Sequence, residues 1–380
     1  MNMDKRLRAI VVGAGFAGEG HTLALRHAGV EVVAICARQP AVVQAVADRL
    51  EVPQASTDWR HTLEAVKPDI VALATPASLR QEVVEAATEL GCHLFCDKPL
   101  ATSAEDARHL YRLVERAGVK HAYASTHRYD PSVVWLGELV HDGAIGTLRE
   151  IEYTFRLAFP PLSPWGWWDM LASGGGWLNG WLTHVLGMLA TISGGDLLRA
   201  MGQARPGRQQ APVVPDIHDF RVLFTGEKNP TPEAAEHLEW HACDADGAFT
   251  ALFTVSSAWG DVAVSVVVSS VASASWPPSG WRLYGDEGTL LAEGFTSFTV
   301  CRLGGAGAER EALPVPQRLL DELPSVGEDE TNKWAALAAD FVTDVRGEAY
   351  RPYLTFRDGW RYQEAIDAIR SGRGWYTLPA

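Results

Sequence analysis

Over its first third the chain alternates short apolar runs, stopped by glycine or proline, with longer stretches whose apolar residues recur every three or four positions. Runs of the first kind read as buried strands at Leu7–Val12, Val30–Cys36, Asp69–Thr75, His93–Cys96 and Val119–Ser125. Stretches of the second kind predict helices at His21–His27, Ala41–Leu50, Leu79–Leu90 and Ser103–Ala117. Ser103 precedes Asp106 by three residues as a capping pair, and Gly29 and Gly118 close two of the helices. Pro76 and Pro99 have no N–H to give to a sheet ladder, so the strands before them end there. Strands that alternate with helices form a parallel sheet, and ligands of such sheets bind at its carboxyl edge. Lys98 is delivered to that edge; the alternative is a solvated Asp97-Lys98-Pro99 turn.

Beyond residue 124 the pattern changes. His127-Arg-Tyr-Asp-Pro131 opens a helix to Val140, and Asp142–Gly146 reads as a turn. Strands are expected at Leu148–Phe159, His218–Phe224, His237–Cys243, Phe249–Ser256, Val262–Val271 and Ser279–Tyr284, with Asp244–Gly247 as a hairpin turn. Such a series suggests a largely antiparallel sheet. Loops at Gly202–Pro215 and Gly304–Glu330 are rich in proline, glycine and charge and are expected to be mobile, and helices at Asn332–Arg346 and Asp358–Arg370 follow. The expected domains are 1–124 and 125–380.

With 380 residues and 47% hydrophobic content, the chain can bury two cores. A formal net charge of -14 argues against nucleic acid and against an acidic membrane surface as partners. The five cysteines are odd in number and scattered, which suits free thiols in a reducing compartment; Cys92 and Cys96 read as core thiols, and no metal is expected. His237 and His241 read as residues on one strand, where their spacing of roughly 13 Å prevents shared chelation. Trp177–Ile192 is too interrupted for a membrane span, and Met1–Arg8 shows no apolar signal region, so the cytoplasm is the expected location.

The first strand runs into Gly13-Ala-Gly15-Phe16-Ala17-Gly18 and then a helix, the context a dinucleotide fingerprint requires. Gly13 allows the tight turn, Gly15 the approach of a pyrophosphate, and Gly18 close packing of helix on strand. The helix N-terminus then faces the phosphates. Where an acid would hold the ribose hydroxyls of NAD, the second strand ends in Ala37-Arg38. Arg38 suits a 2′-phosphate, which favours NADP(H) with NAD(H) possible; alternatively it is a solvated loop arginine near the adenine. Ala74-Thr75-Pro76 ends a strand that would lie along the cofactor, or is a plain strand terminus.

These pieces, with Cys96-Asp-Lys-Pro99, Arg128-Tyr-Asp-Pro131, Gly143-Ala-Ile-Gly146, Gly174-Gly-Gly176 followed by His184, and Gly285-Asp-Glu-Gly-Thr289, resemble the glucose–fructose oxidoreductase / inositol dehydrogenase / rhizopine-catabolism (Gfo/Idh/MocA) family. The resemblance implies an α/β protein: a Rossmann dinucleotide-binding domain, then an α/β domain on a large, mostly antiparallel open sheet that makes the subunit contact of a homo-oligomer, a dimer or tetramer. It implies an NAD(P)-dependent oxidoreductase acting on a small-molecule secondary alcohol or ketone, sugar-like or cyclitol-like. Lys98 is similar to the family's lysine that touches substrate oxygen and nicotinamide, His184 to its acid/base histidine, and Asp97 stands where glutamate usually reaches the nicotinamide ribose.

One position departs from the family. Four residues before the histidine, where aspartate is usual, this chain has Gly180, and on an α-helix the adjacent Asn179 points about 100° away. The proton chemistry would rest on Lys98 and His184, a histidine titrating near ~6.5 and an ammonium that steadies a developing alkoxide. Trp165, Trp167, Trp168, Trp177 and Trp181 are dense nearby, and Trp177 and Trp181 share a face with His184 as pocket walls or as core. His127 and Arg128 fall where the family contacts substrate or cofactor, or else cap a helix. Two alternatives remain: reduction of a bulkier non-sugar carbonyl or imine, and a non-catalytic dinucleotide-sensing regulator.

Overall fold

The computed structural model describes residues 6–157, 159–217, 220–272, 278–304 and 309–380. The chain divides into two compact units: the first runs to Thr126 and takes back Pro324–Gln363, and the second comprises His127–Leu323 and Glu364–Ala380. Among the described residues no helix is long and apolar enough to cross a membrane.

In the first unit, strands β1 (Arg8–Val12), β2 (Glu31–Cys36), β3 (Gln54–Ser56), β4 (Ile70–Leu73), β5 (His93–Asp97) and β6 (His121–Ala124) form a parallel sheet in the order β3-β2-β1-β4-β5-β6. Helices α1 (Phe16–His27), α2 (Pro40–Arg49), α3 (Trp59–Val66), α4 (Gln81–Glu89) and α5 (Ala104–Ala117) connect them. The strand order reverses between β1 and β4, the switch point where ligands of such sheets bind. The inner strand β4 is buried at every position, as a sheet covered on both faces demands, and so is β6 at the sheet's edge. Ser103 caps α5 by accepting from the Asp106 N–H at 3.1 Å. β3 and α3 are additional to the expected elements; β3 is three partly exposed residues with little apolar signal.

A domain boundary near 124 sends every later element to the second domain, yet helix Asp329–Val345 packs against α1 within the first unit. The reason lies at Gly20. A Cβ there would meet Trp334 Cε3 at 2.2 Å, so glycine lets the indole lie directly on α1.

In the second unit, β7 (Leu148–Arg156), β8 (Leu197–Pro206), β11 (Asp246–Val255), β12 (Val262–Ser269), β13 (Gly280–Gly285), β14 (Thr289–Gly294), β15 (Phe298–Leu303), β16 (Glu311–Ala312) and β17 (Tyr376–Thr377) form one sheet. Its order is β16-β15-β14-β13-β7-β12-β11-β8-β17, antiparallel except for β7 beside β12. β9 (Gln210–Pro212) and β10 (Trp240–Ala242) pair separately. Ile151, Tyr153 and Phe155 alternate onto the buried face, where Trp281 stands opposite Tyr153 with ring centroids 4.5 Å apart. The unit's longer helices are α6 (Pro131–His141) and α7 (Thr183–Ser193), with short helices α8 (Val222–Thr225), α9 (Pro232–Ala235) and α10 (Gln317–Glu322). Helices α11 (Asp329–Val345) and α12 (Phe356–Ser371) follow, the second passing from the first unit into this one.

Several expectations are corrected. His218 and Asp219 lie outside the described residues, and the rest of the expected strand to Phe224 turns into α8 instead. Only Trp240–Ala242 of the expected His237–Cys243 strand is extended, so His237 is not on it. Asp244–Gly247 is no hairpin: the strands on either side belong to different sheets. Gly202–Pro215 is largely strand, because Gly202 lies on Ala251, where a Cβ would meet the Thr250 carbonyl oxygen at 2.4 Å. The stretch Gly304–Glu330 contains β16 and α10, with 305–308 outside the described residues.

Candidate active-site residues in the two units

The glycine fingerprint is built for a close approach. Gly13 has φ +123°, and a Cβ there would meet the Ala74 carbonyl oxygen at 2.5 Å; at Gly18 it would meet the Gly13 oxygen at 2.0 Å. Gly15 stands at the N-cap of α1 and supplies no capping side chain, so the first-turn N–H groups of Phe16 and Ala17 face outward from the carboxyl edge. At the end of β4, the Thr75 hydroxyl is buried with no hydrogen-bond partner among the described residues, and Pro76 follows. A tight glycine loop, an uncapped helix start and an orphaned hydroxyl beside Ala74 fit a dinucleotide. Ala37 donates its N–H to Ser56 O at 3.0 Å, and Arg38 is exposed at the end of β2.

Lys98 follows β5 directly, and Arg80, which belongs to no sequence motif, holds its turn. Arg80, 2% exposed, donates five hydrogen bonds to the carbonyls of Thr75 (3.0 and 2.7 Å), Asp97, Lys98 (3.4 Å) and Pro99. An arginine at the start of a helix gives no sign in sequence that it ends among carbonyls. Asp97 accepts the Lys98 N–H at 2.6 Å, and its other oxygen lies 3.5 Å from Nε2 of fully buried His21. The His21 ring packs between Phe95 at 4.8 Å and Trp334 at 5.3 Å. Burial works to raise the Asp97 pKa, but the His21 bond and the charges of His21, Lys98 and Arg80 outweigh it and hold the carboxyl below its usual range. Burial pushes the Lys98 ammonium down, opposed by the negative charges of Asp97 and Glu330 and aided by Arg80.

In the second unit two histidines meet that are far apart in sequence. His127, 4% exposed, sits in the tight turn Thr126–Tyr129; His184, 7% exposed, begins α7; their rings lie 4.2 Å apart, edge to face. Trp181 is 5.3 Å from His127 and 6.0 Å from His184, and its indole N–H donates to the Tyr153 hydroxyl at 3.0 Å. Trp177 and Trp181 are 6.3 Å apart. Arg128 is half-buried, with its guanidinium 5.7 Å from the Tyr129 ring. Asp130 accepts from Ser132 and from Ser297 Oγ at 3.0 Å, which ties this motif to the turn between β14 and β15.

The triple glycine acts as a backbone device. Cβ atoms at Gly175 and Gly176 would meet the Trp168 carbonyl oxygen at 2.4 Å and Asp246 Oδ1 at 2.6 Å. Asp246 uses that closeness to accept the Leu178 N–H at 2.8 Å, while Arg370 at 3.0 Å neutralises it. The segment ahead of His184 is not α-helical as expected: Leu178–Leu182 forms a wider π turn, which places residues five apart near one another. Fully buried Asn179 therefore lies about one turn before His184, its side-chain amide donating to Gly175 O at 3.1 Å. At Gly180 a Cβ would meet no atom within 4 Å.

Residues 7–125 match the model of the Gfo/Idh/MocA oxidoreductase family's NAD-binding Rossmann fold, and residues 133–291 match that family's C-terminal domain. The chain belongs to the Gfo/Idh/MocA family. Among its relatives, levoglucosan dehydrogenase of Pseudarthrobacter phenanthrenivorans is 28% identical over 204 residues, covering 50% of this chain and 52% of that protein. D-apiose dehydrogenase of Paraburkholderia graminis is 32% identical over 160 residues, 42% of this chain and 43% of that protein. D-glucoside 3-dehydrogenase of Escherichia coli is 32% identical over 163 residues, covering 42% and 46%. The match thus spans about half the length of these family members or less. The structure of levoglucosan dehydrogenase with NADH and levoglucosan superposes with a TM-score of 0.79 over 99% of this chain and 100% of that one, at 20% identity, a likeness of fold.

Proposed function

We propose that this family member is an NAD(P)-dependent dehydrogenase that moves a hydride between nicotinamide and a secondary alcohol or ketone of a sugar-like or cyclitol-like substrate. The observation that carries this reading is Lys98: an amine with a depressed pKa, locked by Arg80 and Asp97 at the carboxyl edge of a sheet whose fingerprint suits a dinucleotide. The nicotinamide, when bound, supplies the hydride acceptor. His184 takes the hydroxyl proton, with His127 packed against its ring, while the Lys98 ammonium steadies the charge that develops on the oxygen. Asp97 would reach the nicotinamide ribose, Trp177 and Trp181 would wall the substrate, and His127 and Arg128 would contact it.

Lys98→Ala should lose turnover by roughly 10²–10³-fold while dinucleotide binding persists, the cost of removing one group that stabilises a developing oxyanion. Unchanged turnover would remove Lys98 from the reaction. Exposed Arg38, with no acid beside it at the end of β2, supports a preference for NADP(H) over NAD(H). Equal loss of NADPH and NADH affinity in Arg38→Ala would refute that. The sheet's outer face, where Leu252 is 40% exposed opposite Met201, suits contact with a second copy, dimeric or tetrameric; a monomer by light scattering would refute it. Five free cysteines fit the reducing cytoplasm.

A further inference from the structure

Gly180 removes a side chain from the helical face that carries the chemistry. Gly180 lies in the π turn between Trp177 and Trp181, whose rings are 6.3 Å apart, and Trp181 lies 6.0 Å from His184. A Cβ at Gly180 would meet no atom within 4 Å, so a larger side chain finds room there.

The two indoles belong to a longer band of rings. Trp181 stacks on Phe295 at 5.0 Å with planes 5° apart, and on Phe155 at 4.9 Å. Trp177 lies 5.6 Å from Phe155 and 5.7 Å from Phe159, and Phe159 lies 5.6 Å from Phe224. The band ends in solvent: Phe224 is 51% exposed and Phe295 38%. Between these exposed ends Phe155 and Trp181 are buried, so the band offers an accessible aromatic edge at Phe295, beside Trp181, and a second at Phe224.

We infer that the substrate is a sugar-like alcohol bearing a flat apolar substituent, such as an aryl glycoside, with the alcohol at His184 and the substituent over the ring band. The inference rests on the dehydrogenase reading of His184 and adds a second subsite to it. An aryl group lays its whole flat apolar face on these rings, whereas a second sugar ring offers them only its C–H face, so the aryl substituent is the better fit.

The test compares methyl, phenyl and glucosyl derivatives of the same sugar, across glucosides, galactosides and xylosides, by kcat/KM with NADP⁺ or NAD⁺. Binding is followed separately through tryptophan emission. The phenyl compound should be preferred over the methyl compound by about tenfold or more, the value of one good aromatic contact with its buried area. Phe224→Ala, and Gly180→Leu, which fills the space, should each bring that ratio toward one. A ratio near one in the parent protein, an unaltered ratio in both variants, or preference for the disaccharide overturns the subsite. If no compound is oxidised, the dehydrogenase reading fails, and the emission titration still decides the subsite by whether phenyl binds more tightly than methyl.

Discussion

Arg80 offers the sharpest test of how the Lys98 turn is held. Replacing it with methionine keeps most of the side-chain volume and removes all five hydrogen bonds to the carbonyls of Thr75, Asp97, Lys98 and Pro99. Four buried acceptors lose charge-assisted bonds worth about 1.5 kcal/mol each at the low end, roughly 6 kcal/mol in all. Relief of guanidinium desolvation and entry of water into the vacated space offset part of this, leaving about 3 kcal/mol. For a unit of this size that corresponds to a fall of roughly 6–12 °C in the unfolding midpoint. The assay is thermal unfolding of the full chain without cofactor, together with kcat and the dissociation constant for NADPH. Lysine at 80 should recover only part of the loss, because one ammonium cannot span four carbonyls as a planar fork does. An Arg80→Met protein that melts within about 2 °C of the parent, with kcat unchanged, would refute the reasoning, since that shift is under 1 kcal/mol.

Three further outcomes follow from the same groups. Lys98→Met should abolish turnover yet melt no lower than the parent at pH 7, because burial disfavours the ammonium; the parent should gain on the variant as pH rises toward ~10.4, where its depressed folded pKa lets it shed the proton first. Asp97→Asn should be less stable at pH 5–7, and the deficit should shrink below about pH 4, because a carboxylate held below its usual pKa stabilises the fold above its unfolded value and loses that contribution as it is protonated; a deficit constant down to pH 2 would contradict this. Burial pushes the thiols of Cys36, Cys92 and Cys96 up to about 11. At pH 8 only about 0.1% of each would be thiolate, so Ellman's reagent should label them only on unfolding, and rapid native labelling would refute their burial.

Local spacing along the chain was enough for the alternating first sheet, the glycine turn and the lysine at a strand end, because each is set by residues within about ten positions of one another. Spacing also pointed to Trp177, Trp181 and His184 as neighbours; Trp177 and Trp181 lie 6.3 Å apart and Trp181 lies 6.0 Å from His184, but across a π turn and not an α-helical face. The return of α11 to α1 was not legible, because it depends on Gly20 leaving room for an indole more than 300 residues away in sequence. Nor was the meeting of His127 with His184, the hold of Arg80 on four carbonyls, or the Asp246 cap beneath the triple glycine. The widened turn at Leu178–Leu182, which sets Asn179 and leaves Gly180 open, likewise has no signature in local pattern. Periodicity reports which way a side chain faces from its own element; which distant groups wait there is decided only when the elements pack, and polar chemistry depends on those partners.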